Sequence, residues 1–458
     1  MFAGRDNELK KLNSLFESKK FECVVLHGRR RVGKTTLLRE FVKDKKAIYL
    51  SSQETCGSQN LEHMTRIIKD FQRDSSFEVP QAGNFDRIFE YLYRLARSQR
   101  ILLIIDDYQF LTQSQKRISE TICRHIDQNL RYSRLMLVIC GSGEQIMKKE
   151  AVGLDSPFYG RRTALINLKP LSFSETRQYY DNYSLYDSTI IYGLTGGIPM
   201  YLEMMSPDLT IEDNIRRAYF DTSSLLIEEP ANILRREVRD LTYYNAVLKA
   251  IAGGHNKNAE IAAAVGLDTA ACTAYLKNLI AMDIVKKHTP ITEKAGKRTI
   301  YEIKDYLFNF WYRFVQNNLS FIRIGMPPRI WRDIAREIPP YMSKVFDDIS
   351  KQWLAAQNAA GNLQINVVEF GCWWGVDPLS KEMLSLPIIG YSEDDNAIFA
   401  CSAWSEEPVD VDALESLINR SRLFSFRNKH YYLFSCSGFT PECARLAEKQ
   451  TANLIMFK

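Results

Sequence analysis

No two of the nine cysteines form a C-x-x-C pair, and the six histidines show no ligand spacing with cysteine. A metal site of the histidine–cysteine kind is not expected on that ground. An odd, scattered set of thiols instead fits a reduced compartment, where cysteine behaves as a small buried apolar group. Long uncharged hydrophobic runs are also missing. The start, "MFAGRDNELKKLNSLF", has no apolar core of the signal-peptide kind. The most aromatic stretch, "YLFNFWYRFVQNNLSFIRIG", is broken by Asn309, Arg313, Gln316 and Arg323, which a bilayer would tolerate only at high cost. Neither sign of charge dominates: 60 basic against 55 acidic residues leave a net +5, which permits a nucleic-acid partner without arguing for one. Internal repeats and low-complexity tracts are absent. These gaps predict a soluble, cytoplasmic protein that does not meet the membrane.

What is present is enough apolar sequence, 45% of 458 residues, for several cores. At about 150 residues per domain, the length suggests about three domains. The most informative segment is "HGRRRVGKTT", residues 27–36. A β-branched run, "FECVVLHG", precedes it, and the helical pattern "TTLLREFVKD" follows. Strand, glycine-rich loop and helix form the setting that G-x-x-x-x-G-K-[ST] requires. Gly28 and Gly33 free the backbone to turn its N–H groups onto phosphates, and the helix adds its positive end. The expected nucleotide-binding segment runs through Gly28, Arg29, Arg30, Arg31, Val32, Gly33, Lys34, Thr35 and Thr36. Lys34 would reach the β- and γ-phosphates, and the Thr35 hydroxyl would ligate Mg²⁺.

A second run, "RILLIIDDYQFL", reads as a buried parallel strand closed by two carboxylates. Asp106 would hold the Mg²⁺ hydration shell, and Asp107 would polarise the attacking water. Asp is one methylene shorter than the Glu common at this second place, which predicts slow hydrolysis. In "RLMLVICGSGEQIM", Ser142 ends a third strand where it could sense the γ-phosphate or the water. In "SPFYGRR", Arg161 and Arg162 read either as an arginine finger or as a solvated basic pair.

"FAGRDNEL", "GRRRVGKTT", "LLIIDDYQFL", "LVICGSGEQIM", "SPFYGRR", "LKPLSF" and "LTGGIPMYL" follow one another in that order. Together they resemble the archaeal-type ATPases of the AAA+/STAND group of P-loop NTPases. The resemblance implies ATP rather than GTP as the nucleotide, and no NKxD-type guanine motif stands out. It also implies Gly4 and Arg5 near the adenine, with Gly197 and Pro199 in a helical lid beside the nucleotide. Members commonly act as slow switches.

Farther on, three helical patterns, the last capped by Asp268, precede two strands around "EKAGK", which spells a winged helix. Two readings stay open. Thr269, Thr273, Lys277 and Asn278, with Lys294, Lys297 and Arg298 of the wing, contact DNA, or this face is solvated and the module packs on protein. The last stretch alternates strands and helices and is similar to restriction-endonuclease-like folds of the PD-(D/E)xK kind. In "ACSAWSEEPVDV", Cys401 stands where the acid would be and Ala403 where the lysine would be. Glu382 is a poor offset substitute for the metal-binding Asp, and Asp347 survives as an isolated acid. An alanine cannot supply a lysine's charge, so no nuclease activity is expected. Trp373 and Trp374 could stack a base, but core packing is the plainer reading.

The expected fold class is α/β: a P-loop NTPase parallel sheet with a helical lid, a winged helix and a C-terminal α/β nuclease-like domain. The expected boundaries are 1–165 for the ATPase core, 166–235 for the lid, 236–305 for the winged helix, 306–340 for a helical linker and 341–458 for the last domain. The expected ligands are ATP and Mg²⁺. Expected partners are DNA through the winged helix, and a protein partner or a second copy.

Overall fold

A computed structural model describes residues 2–72, 84–180, 183–291 and 298–457. The chain divides into two compact units: residues 1–171 with 198–200, and residues 172–197 with 201–458.

The first unit is built on strands β1 (Glu22–His27), β2 (Ala47–Ser51), β3 (Ile101–Asp106), β4 (Leu135–Gly141) and β5 (Ala164–Asn167). All pair in parallel, in the order β2-β3-β4-β1-β5. The near-continuous apolar runs "CVVL", "ILLII" and "LMLVIC" are buried residue after residue. Central strands need this composition because helices cover both faces of the sheet. One face packs Val25, Ile48, Leu103, Ile105 and Leu137 against helices Phe85–Ser98 and Ile118–Gln128. With this core fixed, the ends of β1, β3 and β4 lie side by side: His27 pairs with Gly141, and Ile105 with Ile139. In parallel α/β sheets ligands bind at the carboxyl ends of the strands, and the phosphate-loop residues follow β1 there.

The second unit contains the helical segment after residue 172, then helices Thr242–Ala252, Asn258–Val265 and Thr269–Ala281. Asp268 caps the third of these, its side chain accepting the Ala271 N–H at 2.8 Å. An antiparallel hairpin follows, β6 (Val285–His288) with β7 (Ile300–Ile303), completing a winged helix. Lys294 and Lys297 lie outside the described residues.

A second sheet holds β8 (Glu369–Val376), β9 (Met383–Tyr391), β10 (Asn396–Ala403), β11 (Asn428–Ser435) and β12 (Asn453–Met456) in the order β12-β11-β10-β9-β8. β8, β9 and β10 are antiparallel, whereas β10, β11 and β12 are parallel. Helices Val411–Ser421 and Pro441–Gln450 cross between the parallel strands and cover one face through Leu414, Leu417, Cys443 and Ala447. Among the described residues, no helix is long and apolar enough to cross a membrane.

Candidate functional site

Between β1 and helix Lys34–Val42 the chain makes the tight loop that its glycines allow. At Gly28 a Cβ would stand 2.4 Å from the Leu168 carbonyl oxygen, so only glycine fits this close approach. Gly33 sits at φ 94°, a left-handed conformation that turns the loop into the helix. Arg31 also has positive φ, 67°. Val32 is buried, and Thr36 lies in the first turn of the helix.

Lys34 is buried, and its Nζ donates to the carbonyls of Gly28 at 2.9 Å and Arg29 at 2.8 Å. Burial lowers its pKa, although Cys140, Asp106 and Asp107 pull the other way. Its hydrogen bonds thus go to neutral oxygens, and the loop holds an ammonium that an anion would stabilise. His27, just before the loop, is pushed down to about 4 by burial first and then by Lys169, Lys34 and Arg162. It therefore stays neutral and adds no charge at neutral pH.

Asp106, the last residue of β3, is buried and forms a hub. The Thr35 hydroxyl donates to its Oδ2 at 2.8 Å, and the Tyr49 hydroxyl from β2 donates to the same oxygen at 2.7 Å. The Asp107 N–H donates to Oδ1 at 2.9 Å. Burial, and then Asp106 itself, pushes the Tyr49 phenol well above its usual range, so it remains a donor. The structure thus brings Thr35 and Asp106, expected from widely separated segments, into direct contact. A hydroxyl and a carboxylate are the hard oxygen ligands that Mg²⁺ takes alongside phosphate and water. These residues fit the ion.

Asp107 leaves the strand in a left-handed conformation, φ 51°, which aspartate tolerates better than most residues. Its Oδ1 accepts from Gln109 Nε2 at 2.9 Å, and Gln109 Oε1 accepts the Ser142 N–H at 3.0 Å. Asp107 and Ser142 are thereby joined through Gln109, which no sequence motif marks. Tyr49 is likewise unmarked. The "DDYQF" and "AIYLS" texts contain both residues, but their role depends on strand order, which no local pattern prints.

Arg5 is buried at φ 74° and donates to the carbonyls of Val32 at 3.1 Å and Lys169 at 2.6 Å. It ties the amino-terminal segment, including Gly4 at φ 66°, to the phosphate loop. The ring of Pro199 lies 3.6 Å from where a Gly33 Cβ would stand. Gly197, at φ 67°, falls in the second unit. Arg161 makes an ion pair with Asp127 at 2.7 Å and donates to the Pro157 carbonyl. Arg162 donates to the Ala151 carbonyl at 2.7 Å and lies over the Tyr159 ring. Both arginines thus have partners within their own unit.

In the winged helix, Thr273, Asn278 and Arg298 of the expected DNA-facing side chains are engaged internally. Thr273 bonds back to the Thr269 carbonyl at 2.7 Å and accepts from Asn258. Asn278 donates to the Tyr244 hydroxyl at 2.7 Å, whereas Lys277 is exposed. Arg298, expected to face DNA from the wing, instead donates to the Trp374 carbonyl at 2.6 Å and lies over the Trp373 ring. Beside it, the Ile291 N–H bonds the Cys372 carbonyl of β8, so the hairpin docks on the edge of the second sheet. An edge strand gains by such cover, because its free N–H and C=O groups are otherwise an adhesive surface.

Around β10, Cys401 and Ala403 share a face with Phe399 and pack toward helices Val411–Ser421 and Pro441–Gln450. Asp347, from helix Ile338–Ala359, accepts a 2.7 Å hydrogen bond from Ser402. Successive strand residues point to opposite faces, so Asp347 meets the face opposite Cys401 and Ala403. Glu382 precedes β9 and is exposed.

Comparison with known proteins fits this architecture. Residues 2–205 match the family described as an ATPase domain predominantly from Archaea. Residues 246–286 match a winged helix-turn-helix DNA-binding family, and 311–414 a family of archaeal and bacterial proteins of unknown function. An uncharacterized protein of Methanocaldococcus jannaschii is 30% identical over 375 residues, covering 82% of each chain. The chain belongs to the archaeal-type ATPase family. An uncharacterized ATP-binding protein of the same organism is 44% identical over 46 residues, which is 10% of this chain and 78% of that protein. The Walker-type ATPase of Pyrococcus abyssi superposes with a TM-score of 0.53 at 19% identity, covering 68% of this chain and 96% of that one. That likeness shows a shared P-loop fold.

Proposed function

We propose that this archaeal-type ATPase binds ATP with Mg²⁺, hydrolyses it slowly and works as a conformational switch. The observation that carries this reading is the meeting of Thr35 and Asp106 beside a buried Lys34 whose hydrogen bonds go to neutral carbonyls. In this reading Lys34 and the loop N–H groups hold the phosphates, and Thr35 and Asp106 hold Mg²⁺. The ion would neutralise charge on the transferred phosphoryl group. Asp107 orients the attacking water, and Ser142 senses the γ-phosphate end of the site. The contact of Arg5 with Val32 and Lys169 supports a role for Gly4 and Arg5 in shaping the nucleotide's surroundings. Gly197 and Pro199 belong to the lid side of the same proposal. The ion pair of Arg161 with Asp127 favours a structural role for that arginine in the single chain. Arg162, over Tyr159, remains the better finger candidate.

The regions 166–235, 236–305, 306–340 and 341–458 are proposed as lid, winged helix, linker and terminal domain of one switch. A γ-phosphate that favours one arrangement of such parts over another supplies the drive. The terminal domain is read as non-cleaving. Ala403 lacks the cation, and Asp347 meets the other face of β10. Among the described residues, no group of three or more His, Cys, Asp or Glu is placed to hold a metal ion by itself.

A DNA-associated reading has one specific observation in its favour, the winged helix-turn-helix match over 246–286. Against it, Lys277 is the one basic residue in helix Thr269–Ala281, and Arg298 is turned onto Trp373 and Trp374. Phosphate contacts supply most non-specific affinity, and among the described residues this face offers few free cations for them.

Steady-state ATP hydrolysis with Mg²⁺, with and without duplex DNA, tests the proposal against Lys34→Ala. The expected result is slow, Lys34-dependent turnover that DNA leaves within about twofold. A large stimulation by DNA would transfer the switch to a DNA-coupled role. Turnover equal in Lys34→Ala would remove the ATPase reading.

A further inference from the structure

Gln109 stands one position past Tyr108, in the first turn of the short helix that follows β3. Its side chain is 2% exposed, so its amide must find partners inside the protein. It finds two, and they are of opposite kinds. A carboxylate accepts and a backbone N–H donates, so Nε2 must face Asp107 and Oε1 must face Ser142. The orientation of the amide is therefore fixed by chemistry, not by packing.

The surroundings are shaped for this bridge. A Cβ on Gly141, the residue ending β4, would stand 2.9 Å from Gln109 Oε1 and 2.4 Å from Met147 Sδ. A side chain there would crowd the amide where it meets the Ser142 N–H. Across the short gap between the ends of β3 and β4, one buried side chain thus ties the acid after one strand to the backbone after the other.

We propose that Gln109 is the positioning residue for Asp107 in ATP hydrolysis: its amide fixes the carboxylate through Oδ1 and couples that setting to the backbone at Ser142. The inference rests on the ATPase reading above and deepens it. A short aspartate reaches a water only from a restricted set of rotamers, and orientation errors of about 1 Å cost rate steeply. A donor held on Oδ1 selects the rotamer and leaves Oδ2 outside that bond. Because Oε1 is anchored at Ser142, any movement of the β4 end is passed to the carboxylate. The other charged or titratable groups facing Asp107 are Lys34 and Cys140, with Asp106 beside it. Cys140 lies on β4 itself, but its neutral thiol bonds Asp106 and not Asp107, so none of these substitutes for the amide.

The test uses the full-length chain, with kcat, KM and ATP affinity measured for Gln109→Leu, Gln109→Glu, Asp107→Asn and the double variant Asp107→Asn/Gln109→Leu. Melting temperatures check folding. Gln109→Leu should lower kcat about 10- to 100-fold while ATP affinity stays within about twofold. Gln109→Glu keeps an acceptor for the Ser142 N–H and, measured at a pH high enough to ionise both carboxyls, has no donor for Asp107, so there it should lose a similar factor. A residue that merely supported the β4 loop would be rescued by Glu. The double variant should be no slower than Asp107→Asn alone, because Gln109 acts through Asp107. Wild-type kcat in Gln109→Glu, or losses that multiply in the double variant, would overturn the inference while leaving the ATPase reading intact. Wild-type protein without Lys34-dependent turnover would overturn both.

Discussion

His27 is the last residue of β1, next to the phosphate loop, and it lives among cations. Burial, with Lys169, Lys34 and Arg162 nearby, holds its folded pKa at about 4 against 6.5 in the unfolded chain. The unfolded chain therefore takes up the proton first as pH falls. The stability tied to a neutral His27 is complete above about pH 6.5 and is lost progressively as pH drops toward about 4. The ring is partly exposed, so solvent screening reduces the effect to about 1 kcal/mol. His27→Gln should show a smaller fall in melting temperature between pH 7.5 and pH 5 than the unsubstituted chain. An equal fall in both would remove His27 as the source. At this scale some residues of the proposed site stand out in the sequence and others do not. Lys34, Thr35, Asp106 and Asp107 stand in short motifs whose chemistry is fixed by spacing. Tyr49 and Gln109 do not, because one acts across a strand pair and the other across a helix turn to β4.

Among the elements, helix Ile338–Ala359 and strand β10 meet at an unusual carboxyl group. Asp347 is half-buried against Ser402, and its loss of solvent pushes it up to about 7 in spite of that hydroxyl. Asp348 adds to the rise, and Lys344 opposes it. The unfolded chain ionises this group near 3.8, so here the sign reverses. Stability is full at acid pH and is lost as pH rises from about 4 to about 7. Asp347→Asn keeps an acceptor for Ser402 and carries no charge to bury. It should be more stable than the unsubstituted chain by about 2–4 kcal/mol at pH 8, and equal to it near pH 4. Chemical denaturation at both pH values checks this. A destabilised Asn variant at pH 8 would mean that the charged form has a partner the structure does not show.

The elements themselves were largely readable. "CVVL", "ILLII" and "LMLVIC" are buried on both sides, and such runs announce central parallel strands. Asp268 capped the helix it was expected to cap. The surface of the winged helix was less readable. A polar residue on a predicted helix or wing faces solvent, DNA or another part of the chain, and the local sequence looks alike in all three cases. Arg298 illustrates this. Its charge reads as a phosphate contact, yet its guanidinium lies on Trp373 because β8 offers an aromatic face and an edge carbonyl. The second sheet hid its faces similarly. Cys401 and Ala403 were aligned by text with catalytic positions, but alternation turns them toward the helices that cross between parallel strands.

At the scale of the whole molecule, a nucleotide bound at the proposed site would join Lys34, Thr35 and Asp106 and stabilise the folded chain. A ligand that binds only the folded state raises stability as its concentration exceeds Kd, by about 2.7 kcal/mol at a hundredfold excess. The second unit carries the modules whose arrangement a switch would alter, but none of them can respond if the first unit does not bind. Calorimetric titration of Mg²⁺-ATP into the full chain and into Lys34→Ala is therefore the most direct measurement. The expected result is one site per chain, weakened at least about tenfold when Mg²⁺ is withheld and at least about a hundredfold in Lys34→Ala. Equal affinity in the two chains, or binding indifferent to Mg²⁺, would rule out a nucleotide site built on these three residues.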